Sequence, residues 1–160
     1  AMSRAFVKEQ DDAPELLTER PISPNPNFVT SRGLSLIEGE IELLRRKLAH
    51  GQHEADKMLI ARASRDLRYW SQRRASAQLV ESPKSPRVVA FATRVTVTRQ
   101  DGRTQRFSLV GEDEADPANG LIAYTSPMAR ALLGRSAGDV VDGPGGEIEI
   151  TKLEAIDAEG

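Results

Sequence analysis

Apolar residues in the first half of the chain recur with a helical period. Leu34, Ile37, Ile41, Leu44 and Leu48 step by 3, 4, 3 and 4 residues, the a/d spacing that lays a stripe along one side of a helix. Glu38, Glu40 and Glu42 flank the stripe towards its start and Arg45, Arg46 and Lys47 towards its end, as a helix dipole favours. Thr30 and Ser31 are N-cap candidates, and Gly51 is expected to stop the helix at roughly 17 residues, about 25 Å. A second run, Ile60, Ala63, Leu67, Trp70, Arg74 and Ala77, steps by 3, 4, 3, 4 and 3. Two seams joined by a short Gly-containing loop predict an antiparallel helical hairpin. Pro83 and Pro86 end it.

From Arg87 the period becomes two. Val89, Phe91, Thr93, Val95 and Val97 alternate with other residues and predict a half-buried strand. Asp101–Gly102 signals a hairpin into a strand over 105–110. An acidic loop at 111–120, a short strand at 121–124 and a helix from Ser126–Pro127 to Leu133 follow, the helix stopped by Gly134. Val140–Val141, a Gly-Pro-Gly-Gly turn at 143–146 and a last strand over 147–156 complete the pattern. Residues 1–29, with Pro14, Pro21, Pro24 and Pro26, read as an extended or disordered arm. The fold class is α+β, with a coiled-coil hairpin over 30–81, a linker at 82–86 and a small antiparallel sheet domain with one helix over 87–160.

Composition narrows the chemistry. Of 160 residues only 4% are aromatic and 39% apolar, so the core is aliphatic. Zero cysteines exclude disulfides and thiolate chemistry, and no apolar stretch is long enough to span a bilayer; a cytoplasmic protein is expected. The net charge of -2 hides an asymmetry. Lys57 to Val80 carries six bases and one acid, whereas Asp101 to the end carries five bases and twelve acids. The basic face of Lys57, Arg62, Arg65, Arg68 and Arg73 is either solvated or a surface for phosphates or acidic protein. Tyr69 and Trp70 alone stand near it as stacking groups, and Trp70 falls on the seam. No phosphate-binding glycine loop, metalloprotease motif or nucleophile elbow is present, so intrinsic catalysis is not expected. His50 and His53, with Glu54 and Asp56, could gather a transition metal at the hairpin turn, although a solvated turn is the commoner meaning of such residues.

Several separated motifs in the second half then fall in a familiar order. Val110-Gly111-Glu112-Asp113-Glu114-Ala115-Asp116 is followed by Leu121-Ile122, by Ser126-Pro127-Met128-Ala129-Arg130-Ala131-Leu132-Leu133-Gly134, by Gly138-Asp139 and by Pro144-Gly145-Gly146. Over roughly residues 88–156 the chain closely resembles the C-terminal domain of the bacterial Gre (GreA/GreB) transcription elongation factors. Met2-Ser3-Arg4-Ala5-Phe6-Val7-Lys8-Glu9 resembles the start of the GreB branch. Thr30-x-Arg32-Gly33 and Ala77-Gln78-Leu79-Val80 resemble the family's hairpin ends.

The resemblance implies an FKBP-like C-terminal domain and RNA polymerase as partner, reached through the secondary channel. Transcript RNA and DNA are then met only within the elongation complex, and a monomer is expected. In the family, two acids at the coiled-coil tip help hold Mg²⁺ in the polymerase active site, and the polymerase cleaves its own backtracked transcript. No cofactor is implied as stably bound. The family's tip reads Gly-Asp-x-x-Glu-Asn, whereas Gly51 here precedes Gln52, His53, Glu54, Ala55 and Asp56. Glu54 and Asp56 are the candidate substitutes for sharing Mg²⁺, with His53 beside them. Docking in the family maps to Thr125, Ser126 and Pro127. Two functions follow: a Gre-like factor that stimulates cleavage, or a non-cleaving polymerase-binding regulator resembling the regulator of nucleoside diphosphate kinase, which the short hairpin favours. A peptidyl-prolyl isomerase would need an aromatic pocket, for which only Phe91, Phe107 and Tyr124 are available.

Overall fold

The computed structural model describes residues 17–156; the first sixteen residues of the expected arm lie outside that span. The chain divides into two compact units. One comprises residues 17–25 with Ile37–Ser76, the other Pro26–Leu36 with the chain from Ala77 onward. No helix among the described residues is long and apolar enough to cross a membrane.

The first unit is built on α1 (Ser31–His53) from Ile37 onward and on α2 (Lys57–Ser76). Ile37, Ile41 and Leu44 are buried and Leu48 is half-buried, so the apolar stripe is the packing surface. Arg74 Nε donates to Glu38 Oε2 at 3.0 Å, and beside the turn Gly51 lies against Leu59 and Ile60. α2 therefore runs back along α1. A Cβ on Gly51 would stand 3.2 Å from both of those side chains and 3.3 Å from the Ile60 backbone nitrogen. Gly51 does not stop α1. It is the next seam position after Leu48, kept bare so that the second helix can approach. α1 thus runs 23 residues, about 35 Å, well beyond the length expected from a stop at Gly51.

Backbone groups close the turn. Glu54 N donates to His50 O and Asp56 N to Gly51 O, each at 2.9 Å, while Ala55 sits at φ 53°. This is a Schellman-type cap with alanine where glycine is the usual residue. Asp56 then caps α2, its Oδ1 accepting from Leu59 N at 3.0 Å.

In the second unit a two-residue strand β1 (Phe28–Val29) pairs in parallel with β2 (Gln78–Leu79). A five-stranded sheet comprises β3 (Thr93–Arg99), β4 (Thr104–Val110), β5 (Leu121–Ala123), β6 (Val140–Gly143) and β7 (Gly146–Ala155), in the order β5-β4-β3-β7-β6. All pairs are antiparallel except β4–β5, where Ser108 lies opposite Leu121. The acidic loop is what turns β5 parallel: two 3₁₀ turns, Glu112–Glu114 and Pro117–Asn119, carry the chain back to the start of β4's partner edge. The strand expected from Val89 starts only at Thr93, because Ala92 adopts φ 65° and the Thr93 hydroxyl bonds both the N–H and the carbonyl of Ala90. Val95, Val97, Leu109, Ile122, Ile148 and Ile150 meet Ala129 and Leu132 of α3 (Pro127–Leu132) in one aliphatic core. A helical hairpin with an antiparallel-rich sheet and one short helix is the α+β class that the periodicities predict.

The start of α1 is tied to the 3₁₀ turn that follows β4. Thr30 caps α1, its Oγ1 accepting from Gly33 N at 3.0 Å, and the same hydroxyl donates to Glu114 Oε1 at 2.6 Å. Arg32 Nη1 donates to Glu114 Oε2 at 3.1 Å. The Glu114 side chain is 4% exposed, so a buried anion sits at a helix N-terminus, where the dipole favours it. A Cβ on Gly33 would stand 2.8 Å from Glu114 Oε1.

Replacing a mid-helix glycine by alanine ordinarily stabilises by about 1 kcal/mol. Gly39, with open space at its Cα, should follow that rule, whereas Gly33→Ala should reverse it by driving Glu114 off the Thr30 hydroxyl; urea midpoints of the two variants check the sign. Ala55→Gly should remove left-handed strain at the turn and raise stability by about 1 kcal/mol in the same measurement.

Candidate functional site

At the hairpin turn His53, Glu54 and Asp56 are all exposed. His53 Nε2 lies 3.7 Å from Glu54 Oε2, while Asp56 is committed to capping α2. Among the described residues no group of three or more His, Asp or Glu side chains is placed to hold a metal ion. Mg²⁺, the ion that the resemblance implies, takes near-octahedral oxygen coordination. Glu54, beside the His53 imidazole, and Asp56, with one oxygen in the cap of α2, are the two carboxylates the turn offers such an ion.

The basic stretch of α2 is less uniform than its sequence. Lys57 and Arg62 are exposed and enter no ion pair among the described residues. Arg65 meets Asp66 at 3.1 Å, and Asp66 also receives Arg20 at 3.5 Å. Arg68 Nε donates to Glu19 at 2.8 Å, with a second contact from its Nη2. That hydrogen bond holds the Glu19 carboxyl below its ordinary pKa and raises Arg68. A depressed carboxylate pKa means the contact contributes at neutral pH and is lost as pH falls through the lowered value. Arg73 does not belong to an exposed face: it is 2% exposed and engaged. Three residues beyond Trp70 it takes the inner side of the helix, and Arg74 takes the rim, where Glu38 pairs with it. The Arg20 guanidinium lies 4.0 Å over the Tyr69 ring and 5.7 Å from that of Trp70, and the two rings meet edge-on at 5.1 Å. Glu19 and Arg20 were invisible to pattern reading, since nothing in a proline-rich segment marks a contact 49 residues away.

In the sheet unit Thr125, Ser126 and Pro127 form the turn into α3. Thr125 Oγ1 donates to Glu112 Oε2 at 3.1 Å, and Ser126 Oγ accepts from Ala129 N at 3.3 Å as the N-cap of α3. Pro127 is the exposed member. Glu112 and Glu114 thus turn inward, and the acidic run is not simply a solvated loop. Tyr124 donates to Pro26 O at 2.5 Å, and its ring stands 5.4 Å from Phe28 and 5.7 Å from Phe91. A pocket of about 280 Å³ lies nearby, lined by Thr30, Arg32, Ser82, Ser108, Glu114 and Ile156. Its polar walls serve the fold: Ser82 Oγ donates to Ala92 O and accepts from Ile156 N, both at 2.7 Å.

The profile of the family "Transcription elongation factor, GreA/GreB, C-term" matches residues 83–156, the span that holds β3 to β7 and α3. This domain is similar to the C-terminal domain of the GreA/GreB family. The transcription elongation factor GreA of Phenylobacterium zucineum is 41% identical over 88 residues, 51% of this chain and 56% of that one. GreB of Pseudomonas putida is 36% identical over 101 residues, 61% and 62% of the two chains. The chain spans about half the length of the first curated relatives it matches. Among solved structures, the GreA factor homolog Gfh1 of Thermus thermophilus aligns over 82% of this chain and 100% of that one, at 19% identity and a TM-score of 0.40.

Within this domain the turn residues divide by role. Ser126→Ala should cost about 1 kcal/mol of stability through the lost cap. Pro127→Glu, which places an acid in the first turn of α3, should leave stability within about 0.5 kcal/mol. Thermal unfolding of both variants separates the structural hydroxyl from the exposed proline.

Proposed function

We propose that this protein binds RNA polymerase and regulates transcript elongation, docking through Thr125, Ser126 and Pro127 of its Gre domain. The match over residues 83–156 carries this reading, because it coincides with the complete five-stranded sheet and its helix. Support at the turn comes from its internal bonding: Glu112 and the α3 cap hold Thr125 and Ser126 in one conformation and leave Pro127 outward. A preorganised turn loses little entropy on binding. Contact with transcript and DNA comes through the elongation complex, and a polymerase-bound role implies a cytoplasmic protein.

The hairpin turn sets the mode of regulation. We infer a non-cleaving regulator, since the turn departs from the Gly-Asp-x-x-Glu-Asn pattern and its second acid, Asp56, gives Oδ1 to the cap of α2. No catalytic step belongs to this chain.

Core polymerase should retain the protein in a pull-down, and Pro127→Glu should weaken retention about tenfold, the loss of one interface contact. Unchanged retention of Pro127→Glu sinks the docking assignment. On a backtracked elongation complex with Mg²⁺ the protein should leave transcript length unchanged. Shortened RNA that vanishes with Glu54→Gln plus Asp56→Asn, in which asparagine preserves the cap, overturns the non-cleaving mode.

A further inference from the structure

We propose that residues 17–25 form a salt-releasable strap over α2, by which the protein masks part of its own basic helix face. The strap meets α2 through two neighbouring residues of opposite sign. Glu19 takes Arg68, and Arg20 takes Asp66 while its guanidinium covers the Tyr69 ring. All the helix partners fall within Asp66–Trp70, little more than one turn. Alternating charges on both sides give the strap a register: a slip of one residue sets Glu19 against Asp66 or Arg20 against Arg68.

What holds the strap is of the kind that ions dissolve. Among the described residues no backbone hydrogen bond ties residues 17–24 to α2, and Ile22 stays exposed. The Glu19 and Arg68 side chains remain 57% and 53% exposed in their contact. Exposed ion pairs are individually weak, and at about 1 M salt the screening length falls to roughly 3 Å, comparable with these charge separations. In the closed state Arg65 and Arg68 are neutralised internally and Tyr69 is covered, leaving Lys57 and Arg62 as the advertised cations. An acidic ligand that pairs with the Nε edge of Arg68 competes with Glu19. The strap stands within the helical unit and does not rest on the polymerase reading.

Trp70 is the sole tryptophan of the chain and lies beside the strap, so its fluorescence reports docking directly. Quenching by acrylamide, a neutral probe, should rise about twofold in the full-length protein between low salt and roughly 1 M KCl. Glu19→Gln with Arg20→Gln should show the higher quenching at every salt concentration. Arg68→Glu alone should also open the strap, and Glu19→Arg added to it should restore low-salt shielding, as a direct pair requires. Helix content by circular dichroism should stay constant across this series. Salt-independent quenching in the wild type overturns release, and failure of the charge swap to restore shielding overturns the assigned pairing.

Discussion

A single carboxylate out of water constrains much of the sheet unit. Burying Glu114 is costly unless its oxygens are hydrogen-bonded and its charge is met. The Thr30 hydroxyl, the Arg32 guanidinium and the N-terminus of α1 supply those needs together. Their demands then propagate. Residue 33 must lack a side chain for the carboxylate to approach. Gly111 must lack one as well, because a Cβ there would stand 2.4 Å from the Phe28 carbonyl oxygen. The crossover after β4 must deliver its 3₁₀ turn to this spot, and β5 is thereby returned parallel to β4.

The same economy governs the residues that looked most available for function. Asp56, Thr125, Ser126 and Glu112 carry the side-chain chemistry that a binding site uses, and each is first employed by the fold as a cap or its brace. What remains outward and uncommitted to a cap includes His53, Glu54, Pro127, Lys57 and Arg62. A serine or aspartate at a helix start satisfies an orphan N–H before it can serve a partner.

Periodicity made the helices, β3, β7 and the Ser126–Pro127 cap legible, because each depends on neighbours within a few residues, whereas β1 (Phe28–Val29) falls in the segment read as an arm. Gly51 was misleading because a bare Cα serves a helix end and a tight helix crossing equally well, and only the position of Ile60 distinguishes them. The parallel β4–β5 pair and the delayed start of β3 depend on a crossover path and on a left-handed Ala92, neither of which leaves a periodic trace. At the candidate sites the residue types could be named in advance, but not their commitments. Arg73 turned inward and Glu19 reached Arg68, both consequences of tertiary placement.

The short parallel ladder between Phe28–Val29 and Gln78–Leu79 has an architectural consequence. It clasps the two chain ends that lead into and out of the helical segment, so that in connectivity the helices are an insert within the sheet unit. A graft of this kind can gain or lose whole heptads at its turn while the clasp, the buried carboxylate and the aliphatic core keep their registers. Evolution could therefore set the reach of the hairpin independently of its anchor.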